Sequence, residues 1–270
     1  MERHVGVTFP VCALAVLQNG HVLVDRAWGR CEGHEATPTT LFDVASISKL
    51  FTTTAFLASV SAGQVQLDEP LVKVLPGFGQ SGPRPIEGGQ DPHTLARQPL
   101  LHHLAGQQAD PRTVTFRHLL THTSGLPAWR DVFMQTGLVP PAPQDGAVME
   151  TSTPWQSVLP FLYGCSFVEH PGQRVIYSDI GFMLLGHALE VLRDQTLTDC
   201  IQRSVLNPLG LRHTVFNPVQ SAGVPLAQIA PTELDLRWRQ RRVWGEVHDE
   251  NACALGGVAG HAGLFSTAMD

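Results

Sequence analysis

Leu41-Phe42-Asp43-Val44-Ala45-Ser46-Ile47-Ser48-Lys49 runs without a break into Leu50-Phe51-Thr52-Thr53-Thr54-Ala55-Phe56-Leu57. From about residue 46 to 62 the apolar residues Ile47, Leu50, Phe51, Ala55, Leu57 and Val60 recur at helical spacing, and Gly63 supplies a stop. Apolar residues lie on nearly all sides, so the pattern predicts a buried helix. A spacing of three puts Ser46 and Lys49 on one face, within reach of each other. At the helix start the Ser46 backbone N–H is free and the positive end of the dipole points at the site. A serine hydroxyl is a poor nucleophile until a base takes its proton. A lysine amine serves when burial or a nearby cation disfavours its charged form. An ordinary helix start with a surface lysine also satisfies Ser-x-x-Lys. This chain, however, has only two lysines, Lys49 and Lys73. Chance matches on the order of a tenth are expected.

A second element is Tyr177-Ser178-Asp179, just ahead of an apolar-periodic run. A tyrosine hydroxyl that reaches the serine–lysine pair could carry a proton to a leaving group. A core tyrosine followed by a Ser/Asp helix cap fits the same residues, and the two readings are compatible because the cap would fix the tyrosine.

Working outward, residues 11–17 and 21–28 are β-rich apolar runs joined by Gln18-Asn19-Gly20, a hairpin signal. Residues 76–112 are rich in Gly, Pro and Gln and read as a long loop holding a short helix near 94–105. Thr115 to His122 reads as a short helix, and 126–160 as a second Pro-rich, irregular stretch. Helices are predicted over 179–193 and over roughly 196–206, before Asn207-Pro208-Leu209-Gly210. Leu255 to Gly263 is Gly-rich loop. Thr267-Ala268-Met269-Asp270 then has the form that opens a helix.

The 270 residues are 43% hydrophobic and 16% charged with a net charge of −6, which fits a globular protein and excludes a disordered one. There is no basic tract for nucleic acid; Arg237, Arg239, Arg241 and Arg242 read as a solvated strand or turn. No apolar run reaches membrane-spanning length. No signal-peptide pattern follows Met1, which predicts a cytoplasmic location if Met1 is the true start. The dispersed cysteines 12, 31, 165, 200 and 253 predict reduced thiols, not disulfides or a zinc site.

The blocks that carry chemistry resemble one family. Leu41 to Lys49 resembles the first motif of class C β-lactamases and penicillin-binding-protein-like serine hydrolases. Thr115-Phe116-Arg117-His118-Leu119-Leu120-Thr121-His122-Thr123-Ser124-Gly125-Leu126-Pro127 is similar to the stretch between that family's first two motifs. Pro171 to Asp179 resembles its Tyr-x-Asn segment, with Asp179 in place of the commoner Asn, and Asn207 to Phe216 its Pro-Leu-Gly turn. The blocks come in the family's order and cover residues 11–270. The resemblance implies an α+β, β-lactamase/transpeptidase-like fold: an antiparallel sheet flanked by helices, with an inserted mostly helical region. One domain is expected over 1–270: residues 11–63 as hairpin and nucleophile helix, 64–250 as the mostly helical region, and 251–270 as a Gly-rich segment opening a helix. The resemblance assigns Ser46 as nucleophile, Lys49 as its base partner and Tyr177 as proton carrier. Asp179 would face substrate or the lysine, where a carboxylate instead of an amide favours the charged amine by attraction.

The family's third motif is Lys/His/Trp-x-Gly on a late strand. His261-Ala262-Gly263 has that form, but Gly260 to Asp270 resembles an earlier Gly-Gly-Leu…Ser-Thr-Ala segment that leads into a helix. The reading therefore expects a chain cut short, with the third motif and the last sheet strands beyond residue 270, an exposed sheet edge and an uncovered apolar face. One oxyanion donor would be the Ser46 N–H; the other comes, in this family, from the missing strand, at a cost of about 2.7–4 kcal/mol of transition-state stabilisation. His261 is expected either to line the substrate pocket or to be a solvated loop residue.

The implied activity is a serine hydrolase acting through an acyl-enzyme on a small-molecule ester, amide or β-lactam. It is esterase-like by preference, with β-lactamase or D-Ala-D-Ala carboxypeptidase as the alternative. A silent binding homologue or inactive fragment is the reading from another class. No cofactor, metal, nucleic-acid or membrane partner is expected, and the oligomeric state is open. An α/β-hydrolase would need Gly-x-Ser-x-Gly, which Gly79-Gln80-Ser81-Gly82-Pro83 fails at its last position. Ser178-Asp179-Ile180 breaks the Ser-Asp-Asn of class A β-lactamases. His118 and His122 sit four apart without the His-Glu-x-x-His of a zinc hydrolase.

Overall fold

The hairpin signal is realised in the computed structural model, which describes residues 2–137, 139–143 and 152–270. Strands β1 (Val11–Gln18) and β2 (His21–Cys31) pair antiparallel with Gln18 opposite His21. Asn19 and Gly20 both take positive φ, 49° and 78°. Two such residues let a two-residue turn follow the strand twist. β3 (His34–Glu35) extends this sheet in the order β1-β2-β3. The outer edge of β1 has no partner strand among the described residues, and Leu17, Val22 and Leu23 are exposed. A second antiparallel sheet places the strand Leu264–Ser266 between β4 (Phe42–Asp43) and Val215–Phe216. This pairing carries the Gly-rich end of the chain to the 41–49 stretch: the Val44 N–H donates to Leu264 O (3.0 Å), and the Leu264 N–H to Ser48 Oγ (3.2 Å).

Helix α1 spans Ser48–Ser61 and is entered through a 3-10 turn, Ala45–Ile47. Its burial corrects the sequence reading. The inward face is Ser48, Lys49, Thr52, Ala55, Phe56 and Ser59, while Ile47, Leu50 and Leu57 are exposed. Polar groups can face inward because most of them find partners. Arg193 donates from the far end of α4 (Asp179–Arg193) to Ser59 Oγ (2.8 Å) and to Ala55 O (3.2 Å). α4 follows its predicted bounds, capped by Ser178 Oγ, which accepts the Gly181 N–H at 3.0 Å.

α2 (Phe116–Leu120) starts at Thr115, whose hydroxyl and the His118 ring cap each other's backbone N–H. The segment 126–160 is less irregular than expected, because α3 (Ser152–Gly164) occupies its end and buries Val158 and Leu162 despite Pro160. Part of the segment, at 138 and 144–151, lies outside the described residues. The short helix expected at 94–105 is a single 3-10 turn, His102–Leu104. Asp91 takes the backbone N–H groups of His93 and Thr94, and Leu95 adopts φ 59°, so the chain reverses there. The helix predicted over 196–206 runs as Leu197–Ile201 and continues as a π-helix, Gln202–Leu206.

In the arginine cluster Arg237 and Arg242 are exposed, as the reading expects, and the other two are a further correction. The Arg239 guanidinium is fully buried, 3.0 Å from Asp235, and Arg241 pairs with Glu246 at 2.8 Å, so these cations knit a loop instead of facing solvent. At the chain end, Thr267 Oγ1 accepts the Asp270 N–H (3.3 Å) as its motif predicts, but the Asp270 carboxylate turns to the His213 N–H (2.7 Å). No helix among the described residues is long and apolar enough to cross a membrane.

Candidate active site

Ser46 is delivered by a constrained turn. Asp43 accepts the Ala45 N–H at 2.7 Å with one carboxylate oxygen and the His248 N–H at 2.7 Å with the other. Ala45 has φ 46°, an uncommon conformation for a residue with a Cβ, and backbone strain of this kind concentrates at functional sites. Ser46 follows, exposed to solvent. One turn on, Lys49 Nζ lies 2.9 Å from Ser46 Oγ, 2.7 Å from Asp179 Oδ1 and 3.0 Å from the backbone carbonyl of His261. The lysine side chain is 6% exposed and that of Asp179 19%. The lysine nitrogen donates to Ser46 Oγ and to the His261 carbonyl, and the Asp179 carboxylate stands close enough to pair with it as an ammonium.

Tyr177 joins from the segment ahead of α4. Lys49 Nζ stands 4.8 Å from the centroid of its ring, and the residue is 50% exposed. The segment is tied to the 122–128 stretch. Ser178 Oγ donates to Pro127 O (2.7 Å), the Asp179 N–H to Ala128 O (2.9 Å), and the Ser178 N–H to His122 Nδ1 (3.0 Å). The His122 ring packs against Tyr177 with centroids 4.5 Å apart. The structure thus separates the roles of the two spaced histidines: His118 caps α2, and His122 lies past its end beneath Tyr177.

His261 meets the site through its carbonyl. Its ring is buried, not solvated, and Nε2 is 2.8 Å from Asp249 Oδ1. The Gly-rich sequence explains this depth. A Cβ on Gly260 would stand 2.1 Å from Phe182 O and 2.9 Å from Gly186 Cα, so only glycine lets this segment lie against α4. Asp249 was not visible as a site residue in the sequence; its only local signal is a cap, its carboxylate accepting the Ala252 N–H at 2.7 Å. Burial raises the Asp249 carboxyl, but His261, the Ala252 N–H and Lys49 outweigh it and hold it down at about 2, from an ordinary 3.8. A carboxylate held low in the folded state stabilises the fold above its unfolded value, and this contribution is lost as pH falls through the folded one. Asp249→Asn is therefore expected to flatten the fall of Tm with acid between roughly pH 4 and pH 2. Thermal unfolding of both proteins across that range measures it; parallel curves would remove Asp249 from the account.

This arrangement has relatives. The family model described as Beta-lactamase matches residues 3–270. A curated protein of Escherichia coli (strain K12), named "Putative D-alanyl-D-alanine carboxypeptidase", is 32% identical over 292 residues, covering 100% of this chain and 60% of its own length. The chain thus spans 60% of the length of that relative. Among solved structures, a class C β-lactamase from Rhodobacter sphaeroides matches with a TM-score of 0.64 at 19% identity, over 100% of this chain and 60% of that one. EstCE1, described as a hydrolase with promiscuous acyltransferase activity, matches with a TM-score of 0.66 at 20% identity, over 99% and 67%. At these identities the structures speak for the fold.

Proposed function

The chain belongs to the β-lactamase family, and on that premise we propose that it is a serine hydrolase working through an acyl-enzyme on Ser46, with small esters or amides as substrates. The observation that carries this reading is Lys49 Nζ at 2.9 Å from Ser46 Oγ in a buried setting. With Lys49 as the neutral amine, Ser46 Oγ attacks the acyl carbon while its proton passes to that amine, and Asp179 balances the ammonium so formed. The Ser46 N–H faces the developing oxyanion. Tyr177 carries the proton to the departing alkoxide or amine, and water completes the cycle by attack on the acyl-Ser46 ester. Asp179 acts on the lysine, and the His261 carbonyl orients it by accepting one of its N–H groups.

A second reading, a D-Ala-D-Ala carboxypeptidase, is favoured by the name of the E. coli relative. Steady-state rates on p-nitrophenyl acetate and butyrate, nitrocefin and a D-Ala-D-Ala peptide separate the two. Ester cleavage well above that of the other substrates is expected. Release of D-alanine without ester cleavage would establish the second reading, and nitrocefin turnover alone would make the protein a β-lactamase.

A further inference from the structure

His122 takes no part in the chemistry above, yet both flanks of Tyr177 hang from it. Its carbonyl accepts the Ile176 N–H at 2.7 Å, and its Nδ1 accepts the Ser178 N–H at 3.0 Å. Its ring covers the Tyr177 ring on one side and meets Phe182 at 5.1 Å. Its own backbone is left-handed, with φ 57°. An imidazole that accepts at Nδ1 carries its proton on Nε2 and is neutral. Protonation would put a hydrogen on Nδ1 and set it against the Ser178 N–H, so the bond on one flank of the tyrosine would be lost.

We propose that neutral His122 is the positioning residue for Tyr177, holding it beside Lys49 through the backbone on both sides, and that protonation of His122 releases it. The charged groups that face the imidazole are Lys49 from α1 and Asp179 from α4. Burial and the Lys49 charge push His122 below its ordinary range, against the pull of Asp179, so the neutral form prevails near pH 7. Tyr177 would therefore be set for proton transfer at neutral pH and lose its place on acidification. The kinetic side of this proposal rests on the reading of Tyr177 as proton carrier; the positional side does not.

The chain has only two tyrosines, Tyr163 and Tyr177, so ring-labelled tyrosine gives two sets of NMR signals, assigned with Tyr163→Phe. Labelled histidine reports the His122 tautomer. The Nε2–H form is expected at pH 7, with a step in the Tyr177 signals whose midpoint matches the His122 titration and lies below 6.5. In His122→Asn the side-chain oxygen can still accept the Ser178 N–H, asparagine tolerates left-handed backbone, and nothing titrates. The Tyr177 step should vanish there. A step that survives in His122→Asn, or an Nδ1–H tautomer in the wild type, would overturn the proposal. In acylation of Ser46 by a radiolabelled alkyl ester, whose alkoxide needs a proton to depart, the ratio of the His122→Asn rate to the wild-type rate should climb about tenfold per pH unit below the midpoint. A constant ratio would likewise count against it. If Ser46 takes no label at any pH, the hydrolase reading fails, while the tyrosine and histidine signals still decide the role of His122.

Discussion

Ser46→Ala will abolish covalent labelling by a fluorophosphonate, and intact-mass measurement will show no adduct where the wild type gains one. Loss of the nucleophile removes the acyl-enzyme path altogether, so ester turnover should fall by about 10⁴-fold or more, towards the background rate. The fold should scarcely respond. Ser46 is exposed, and among the described residues its hydroxyl bonds only to Lys49, which keeps Asp179 and the His261 carbonyl as neighbours. A change within about 0.5 kcal/mol is expected for a surface position of this kind. Labelling that persists in Ser46→Ala would mean that another residue is the nucleophile and would defeat the proposed function.

Lys49→Met should cost both activity and stability, and the two losses can be separated. Acylation is expected to fall by about 10²–10⁴-fold, the range for removal of a positioned proton acceptor. Stability should fall as well, because Asp179 loses the cation 2.7 Å away and is left as a poorly solvated carboxylate. Removing one partner of a buried pair costs about 3 kcal/mol. Adding Asp179→Asn removes the stranded charge, so the double variant should recover most of the unfolding free energy in urea and none of the acylation rate. If Lys49→Met alone keeps wild-type stability, the Lys49–Asp179 contact contributes nothing to the fold. If it acylates normally, Lys49 is not the base.

Much of the site was legible because its parts are short-range. Helical spacing alone puts Ser46 and Lys49 on one face. The Ser178 cap and the apolar period of 179–193 fix where Tyr177 and Asp179 leave the chain, and Asn19-Gly20 fixes the hairpin register. Local rules failed where a neighbour supplied what the chain itself lacked. Ile47, Leu50 and Leu57 look like core residues of α1, but the inward face is the polar one, because Arg193, Leu264 and Asp179 reach it from elsewhere. Arg239 looks solvated until Asp235 and the Val247 carbonyl close around it.

The sequence by itself thus determined the Ser46 turn, the hairpin, the long helix α4 and the residue types that meet at the site, since each depends on neighbours within one or two turns. Tertiary structure alone decided that Lys49 is held by Asp179 and the carbonyl of His261, 130 and 212 residues away, and that His122 lies beneath Tyr177. It also decided that the His261 ring is buried on Asp249. The physical reason is that hydrogen bonds and charge pairs act over a few ångströms of space regardless of chain separation. Local patterns carry no record of which distant carbonyl or carboxylate will fill that space.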